Sequence, residues 1–121
     1  MYTDLSYLQG ITKNNHEVIR MTIEKFSVNM AETMNRMDNA LLEEDWEKIG
    51  AEAHKLLSSV GILRIKEMEG LVRNLESYCK DRVNLDKVPS MVDDVKDISQ
   101  KVMSELDDIK KSELANSHSS K

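Results

Sequence analysis

Apolar residues recur at intervals of three and four along most of the chain, which is the spacing that places them on one face of an α-helix. A short first helix is predicted around Leu8, capped by Thr3 or Asp4. A much longer helix is predicted after Asn14 or Asn15, which are good helix-capping residues. Its apolar stripe consists of Ile19, Ile23, Phe26, Met30, Met34, Met37 and Leu41.

The same pattern predicts three further helices. Asp45 is the expected cap of a third helix that runs to about Gly61. A fourth helix is predicted from about Ile65 to residue 81, and Pro89 fits the first turn of a fifth helix, where its missing N–H group costs nothing. The fifth stripe ends at about residue 112, and residues 113–121 show no apolar periodicity and are predicted to form a flexible C-terminal tail.

These elements predict an all-α protein. Four long amphipathic helices with short connections form most simply an antiparallel up-down four-helix bundle, here preceded by a short N-terminal helix and spanning residues 1–112. The composition agrees, because 121 residues suit one domain and the chain has only four glycines, one proline and 4% aromatic residues. The chain has eight methionines, and we expect five of those on helices two and five to pack the core: Met30, Met34, Met37, Met91 and Met103.

Charge and composition exclude several classes of function. The formal net charge is −5, and no basic cluster is larger than Lys110–Lys111, so binding to nucleic acid is not expected. No apolar run approaches the roughly 20 residues of a membrane span, and the first residues do not resemble a signal peptide. Cys79 has no second cysteine to pair with and is predicted to be a core residue. We expect a cytoplasmic monomer that does not bind membranes.

The three histidines do not form a recognisable metal or catalytic pattern. His16, His54 and His118 lack the spacing of metal ligands, so no metal site is expected. No serine lies in the sequence context of a nucleophilic elbow, and no glycine-rich loop could hold a nucleotide phosphate. His16 is predicted to be a surface residue, and His118 falls in the expected tail.

His54 differs from the other two in its neighbours. At about 100° per residue, its side chain lies about 110° from the centre of the apolar stripe and points away from the core. The residues one turn before and after it on that flank are small: Gly50, Ala51, Ser58 and Gly61. Glycine inside a helix costs about 1 kcal/mol relative to alanine, so the two glycines need an explanation. Either they allow close helix packing, with Gly61 ending the helix, or they let a partner protein reach the imidazole.

The segment from Ala53 to Leu63, AHKLLSSVGIL, resembles the central motif of the histidine-containing phosphotransfer domain of multistep two-component relays. In that family the pattern is approximately A-H-x-L-K-G followed by two small residues. The resemblance implies that His54 is the phosphorylated histidine and that Leu56 is buried. It also implies that Ser58, Ser59 and Gly61 leave the ring accessible.

The sequence departs from the family pattern at three positions. Leu57 stands where the family usually has lysine, Ser58 where it has glycine, and Arg64 where a glycine is common. The missing lysine removes a positive charge that would help to hold a phosphoryl group. Lys55 or Arg64 is the expected substitute, unless the partner supplies the charge.

The resemblance implies a function without autonomous catalysis. Free imidazole has a pKa of about 6.5 and is therefore mostly in its neutral, nucleophilic form at pH 7. His54 is expected to accept a phosphoryl group from an aspartyl phosphate on a response-regulator receiver domain and to pass it to another receiver. A hybrid histidine kinase is the expected source, and Mg²⁺ is expected only on the receiver, with no cofactor on this chain. The alternative hypothesis is a helical adaptor that binds a receiver or kinase without efficient transfer, and an enzyme ranks third.

Overall fold

The computed structural model describes residues 2–119, and the side chains of residues 2–113. It contains five α-helices: α1 (Ser6–Thr12), α2 (His16–Leu42), α3 (Trp46–Leu63), α4 (Lys66–Asp81) and α5 (Val88–Ser119). A single 3₁₀ turn, Leu85–Lys87, precedes α5. Helices α2 to α5 pack in ring order, each against its neighbours along the chain, with α5 closing on α2. The predicted all-α, up-down bundle with a short N-terminal helix is confirmed.

Local signals in the sequence fix the starts of the two central helices. The side chain of Asn15 accepts a hydrogen bond from the backbone N–H of Val18 at the start of α2. Asp45 does the same for the N–H of Lys48 at the start of α3, at 3.1 Å. Each carboxylate or amide oxygen satisfies a backbone donor that has no partner within the helix. Pro89 is the second residue of α5, where it removes no helical hydrogen bond.

Three predicted boundaries need correction. Helix α3 continues past Gly61 to Leu63, so this glycine does not end the helix. Helix α5 runs to Ser119 rather than to about residue 112, because residues 113–115 (Glu-Leu-Ala) are strong helix formers and no glycine or proline interrupts them. Thr3 does not cap α1, since its side chain binds a carboxylate elsewhere. The division at residue 112 and the flexibility of residues 113–121 stay predictions.

The core consists of the predicted apolar stripes. Met30, Met34 and Met37 are buried, and Met91 and Met103 are half-buried against the same core. The flexible thioether side chains fill the space between α2 and its neighbours, as expected from their spacing. Packing therefore accounts for these five methionines, whereas Met21 on α2 is 58% exposed.

The N-terminal segment is fixed to the bundle by one carboxylate on α5. Glu105 accepts hydrogen bonds from the backbone N–H groups of Tyr2 and Thr3 and, at 2.5 Å, from the hydroxyl of Thr3. The N–H of Asp4 donates to the carbonyl of Leu63 at the end of α3, at 2.9 Å. These bonds hold the segment that leads into α1 across the end of the bundle where α3 turns into α4.

A second carboxylate, Glu52 on α3, is buried between two cations. Its side chain is 4% exposed and accepts hydrogen bonds from Arg36 of α2 and, at 3.1 Å, from Lys55. Burial opposes ionisation, but the bonds from Arg36 and Lys55 outweigh it and hold the pKa of Glu52 below its ordinary value of 4.5. A buried carboxylate is tolerated here because it is paired with two donors.

The lowered pKa of Glu52 makes bundle stability acid-sensitive. A group with a lower pKa in the folded state stabilises the fold above its unfolded pKa and loses that contribution as the pH falls through its folded pKa. We expect Glu52→Gln to lower the free energy of unfolding at pH 7 by about 1.5–3 kcal/mol, the usual range for hydrogen bonds to charged groups. Urea unfolding at pH 7 and at pH 3 should show that the difference from the wild type shrinks in acid.

Glu32→Gln is the matched control for this prediction. Glu32 faces the same arginine, Arg36, but its side chain is 58% exposed and 3.8 Å away. An exposed pair of this kind contributes little, so we expect a change within about 0.5 kcal/mol. Equal effects of the two substitutions would contradict the assignment of a stabilising role to the buried carboxylate.

Candidate functional site

His54 lies in the middle of α3 with its ring in solvent. Its side chain is 74% exposed, in agreement with the orientation predicted from the helical wheel. The helix itself is held by buried residues on its opposite face, among them Ala53 and Leu56. The imidazole is thus presented on a rigid element and is not part of the packed core.

One hydrogen bond orients the imidazole. Nδ1 of His54 lies 2.5 Å from Oε2 of Glu76 on α4, and the Glu76 side chain is 28% exposed. A carboxylate can only accept, so Nδ1 carries the proton and Nε2 is the nitrogen with a free lone pair. In the neutral ring the pair therefore selects the tautomer in which Nε2 carries the free lone pair.

Sequence reasoning did not find Glu76. It lies 22 residues from His54, and its partner role depends on the antiparallel packing of α3 against α4. A signal was present, because Glu76 stands between the buried residues Leu75 and Cys79 and so lies at the edge of the apolar stripe of α4. A carboxylate at such an edge faces the neighbouring helix rather than open solvent.

Gly50 allows the two helices to approach closely beside this pair. It is buried, and a Cβ atom built on it would lie 3.2 Å from the Cβ of Cys79 and 3.7 Å from the carbonyl oxygen of Glu76. A side chain here would push α4 away from α3. Cys79 is buried, as predicted, and burial raises the pKa of its thiol. Of the two accounts of Gly50, close helix packing is the one that these contacts support.

A groove of about 460 Å³ lies between the first half of α3 and the second half of α4. His54 and Glu76 stand on its walls, one from each helix. The groove carries two further cations and one further carboxylate, and its floor is formed by small or apolar groups. The remaining lining residues are Glu47, Gly50, Ala51, Cys79, Lys80 and Arg82.

A comparison with models of known protein families identifies the family of this chain. The family model of the Hpt domain matches residues 22–111, about three-quarters of the chain. The chain belongs to the Hpt domain family. No curated protein and no solved structure gave a significant match. The Hpt domain is a module of two-component phosphorelays, in which it carries phosphoryl groups on histidine.

Two of the three small residues that follow His54 lie on an open flank of this Hpt domain, whereas the third, Ser59, is only partly exposed. Ser58 and Gly61 are exposed and, together with Tyr7 of α1, line a shallow hollow where α1 meets α3. Nothing lies within 4 Å of a Cβ atom built on Gly61. Helix packing therefore does not account for this glycine, in contrast to Gly50, and the access role assigned to it stays a prediction.

The two cations expected to replace the family lysine lie elsewhere. Nζ of Lys55 is bonded to Glu52, on the side of α3 that faces α2. Arg64 follows the end of α3 in the left-handed conformation, with φ 52°, and lines the hollow at the opposite end of α3 from the groove. This φ explains why glycine is common at that position in the family, since glycine adopts it without strain. Leu57 is half-buried against the core, so the missing lysine is replaced by a packing residue.

The other histidines are placed apart from this site. His16, the first residue of α2, is paired through Nδ1 with Glu113 of α5, a contact that sequence analysis did not predict. The side chain of His118 lies outside the described residues. Within residues 2–113 no group of histidine, cysteine and carboxylate side chains could hold a metal ion. None of the helices in the described part of the chain has the length and apolar character needed to cross a membrane.

The two glycines of α3 give a direct test of the packing assignment. We expect Gly61→Ala to raise the free energy of unfolding by about 0.5–1 kcal/mol, because alanine favours the helix and its methyl group has no other atom within 4 Å to displace. Gly50→Ala gains the same helix propensity, but its methyl group must displace Cys79. We therefore expect it to raise the free energy of unfolding by less than Gly61→Ala does, or to lower it. Thermal unfolding of both variants measures the difference. Equal gains would show that α3 and α4 are not held at contact distance by Gly50.

Proposed function

We propose that this protein accepts a phosphoryl group on Nε2 of His54 from the aspartyl phosphate of a receiver domain and transfers it to a second receiver. The observation that carries the proposal is the exposed imidazole whose Nδ1 is held by Glu76, 2.5 Å away, which leaves Nε2 available. Membership of the Hpt family supports the same chemistry. The chain supplies a positioned nucleophile and has no catalytic activity of its own.

The transfer is a displacement at phosphorus. The lone pair of Nε2 attacks the phosphorus atom, and the P–O bond to the receiver aspartate breaks with its electron pair on the departing carboxylate. The proton stays on Nδ1, so the ring becomes a phosphorylated cation as the bond forms. Mg²⁺ and the groups that stabilise the transferring phosphoryl belong to the receiver in this proposal, and His54 needs no cofactor. The reverse reaction on another receiver regenerates the neutral ring.

Glu76 assists because the positive charge develops next to it. In the neutral ring its carboxylate accepts an ordinary hydrogen bond from Nδ1–H, and in the phosphorylated ring this bond becomes charge-assisted on both sides. The interaction is therefore stronger in the product than in the reactant, which is the condition for lowering the barrier. The same logic explains the carboxylate that orients the histidine of a serine protease.

The partner surface in this proposal is the open flank formed by α1 and α3. Tyr7 of α1 lines the hollow of Ser58 and Gly61 and is 46% exposed, and Ile11, one turn further along α1, is 59% exposed. Exposed apolar side chains beside small residues suit a protein partner that must approach the imidazole closely. The receivers of a hybrid histidine kinase and of a response regulator are the partners proposed, in the cytoplasm and with a monomeric carrier.

A second candidate function rests on Leu57. A half-buried leucine in place of the family lysine removes a cation from the neighbourhood of His54. The alternative is therefore a helical adaptor that binds a receiver or kinase without efficient transfer. The two proposals differ in whether label from a phosphorylated receiver appears on this chain.

The phosphoacceptor assignment is tested by His54→Gln. Incubation with a receiver phosphorylated by acetyl phosphate should transfer an acid-labile, base-stable label to the wild type and none to this variant. Its stability should change little, because the exposed ring leaves no cavity. His16→Gln and His118→Gln are the controls and should accept label normally. Label on the His54→Gln protein would refute the assignment, and binding without label on the wild type would favour the adaptor.

The role of Glu76 is tested by Glu76→Gln, which keeps the shape of the side chain and removes its charge. We expect transfer to His54 to slow about tenfold, which corresponds to about 1.4 kcal/mol of lost stabilisation. Binding of the unphosphorylated receiver should stay the same, because only the reacting ring has changed its partner. Equal losses in binding and in transfer would show that Glu76 contacts the receiver instead.

A further inference from the structure

Two cations at the end of α4 share the groove with His54. Lys80 lies one helical turn after Glu76, and Arg82 caps the helix with φ 56°. Within residues 2–113, whose side chains the structure describes, neither forms an ion pair with a carboxylate. The charge of Arg82 acts on the thiol of Cys79, which lies in the floor of the groove. Both cations thus line the cavity beside the imidazole without a carboxylate at ion-pair distance in the described residues.

Other basic residues near α3 are less suited to bind a phosphoryl group on the imidazole of His54. Lys55 is bonded to the buried Glu52. Arg73 of α4 is paired with Glu69 at 3.5 Å and, like Arg64, lines a separate hollow beside the second half of α3. Arg64 also acts on the carboxylate of Asp4, at the end of the bundle away from the groove.

The charge balance of the groove changes when His54 is phosphorylated. Lys80 and Arg82 face two carboxylates, Glu47 and Glu76, so the groove is formally neutral while His54 is uncharged. A phosphoryl group on Nε2 carries two negative charges while the ring becomes a cation, so phosphorylation adds one net negative charge at the mouth of the groove. Without Lys80 and Arg82, the only charged side chains lining the groove beside the phosphorylated ring would be the carboxylates of Glu47 and Glu76, and like charges at this range repel.

We propose that Lys80 and Arg82 bind the phosphoryl group carried by His54 and perform the task of the lysine that Leu57 replaces. Their long side chains reach across the groove from α4 while their stems stay on its wall. The positive charge of this Hpt domain is thereby supplied by the neighbouring helix rather than by α3. The inference rests on the proposed function of His54.

The test uses phosphoramidate as the phosphoryl donor, which needs no receiver. Nε2 of His54 attacks its phosphorus atom, the P–N bond of the donor breaks, and ammonia leaves with the electron pair. The full chain and the variants Lys80→Gln, Arg82→Gln and the double variant are labelled, and phosphohistidine is followed by ³¹P NMR. Lys66→Gln is the charge-matched control, since this exposed lysine opens α4, about 21 Å along the helix from Lys80.

We expect each groove substitution to slow labelling about two- to fivefold, the effect of losing one partly exposed ionic contact, and the double variant to slow it further. Lys66→Gln should label at the wild-type rate. Unchanged rates in the double variant, or equal slowing by Lys66→Gln, would overturn the proposal. Wild-type protein that labels on His54 while the groove variants label equally fast refutes this inference alone. Absence of label on the wild type refutes the proposed function and this inference with it.

A pH titration of the labelled proteins separates phosphoryl binding from a structural effect. Nearby cations stabilise the dianion and lower the second pKa of the phosphoryl group, so the ³¹P titration midpoint should rise in each groove variant. Glu47→Gln removes a facing carboxylate and should move the midpoint in the opposite direction. A midpoint that does not move in the double variant would show that Lys80 and Arg82 do not contact the phosphoryl group.

Discussion

The close approach of α3 and α4 is the constraint on which the site depends. Gly50 has no side chain, and a Cβ atom there would lie 3.2 Å from that of Cys79. Because the backbones meet at this point, Glu76 comes within hydrogen-bond distance of His54 one helical turn away. The same contact forms the floor of the groove that holds Lys80 and Arg82. One missing side chain therefore sets the geometry of the imidazole and of its surroundings.

Most of the fold could be predicted from the sequence, because its determinants are local. The spacing of apolar residues defines four long helices, and Asn15 and Asp45 mark two of their starts with oxygens that bind backbone N–H groups. The end of α5 could not be placed, since apolar periodicity reports burial while helix propensity carries the backbone on to Ser119. Of the two caps predicted for α1, the Asp4 side chain accepts from the N–H of Ser6, whereas the hydroxyl of Thr3 binds Glu105, a carboxylate more than a hundred residues away.

The functional site likewise has features that local sequence signals predict and features that depend on contacts between helices. The exposure of His54 follows from the wheel of its own helix, and the structure confirms it. The α4 residues around it, Glu76, Lys80 and Arg82, are placed by which helices are neighbours and by the register between them. A single sequence specifies neither the neighbouring helices nor their register. The expected roles of Lys55 and Arg64 stay predictions: both are close to His54 along the chain, but Lys55 is bonded to Glu52 on the side that faces α2, and Arg64 turns the chain at the far end of α3. Proximity along the chain does not show which side of the helix a basic side chain occupies.

The presentation of a single imidazole on one exposed face has a kinetic consequence for the proposed relay. A donor and an acceptor receiver must both bring their aspartate to the same nitrogen, so they cannot occupy the protein together. The exchange then follows a ping-pong scheme, in which the donor departs before the acceptor binds. Tight binding to either receiver would slow the whole sequence, because each turnover waits for a complex to dissociate. A rigid bundle with one shared face favours brief encounters, and relay speed is set by how quickly partners leave.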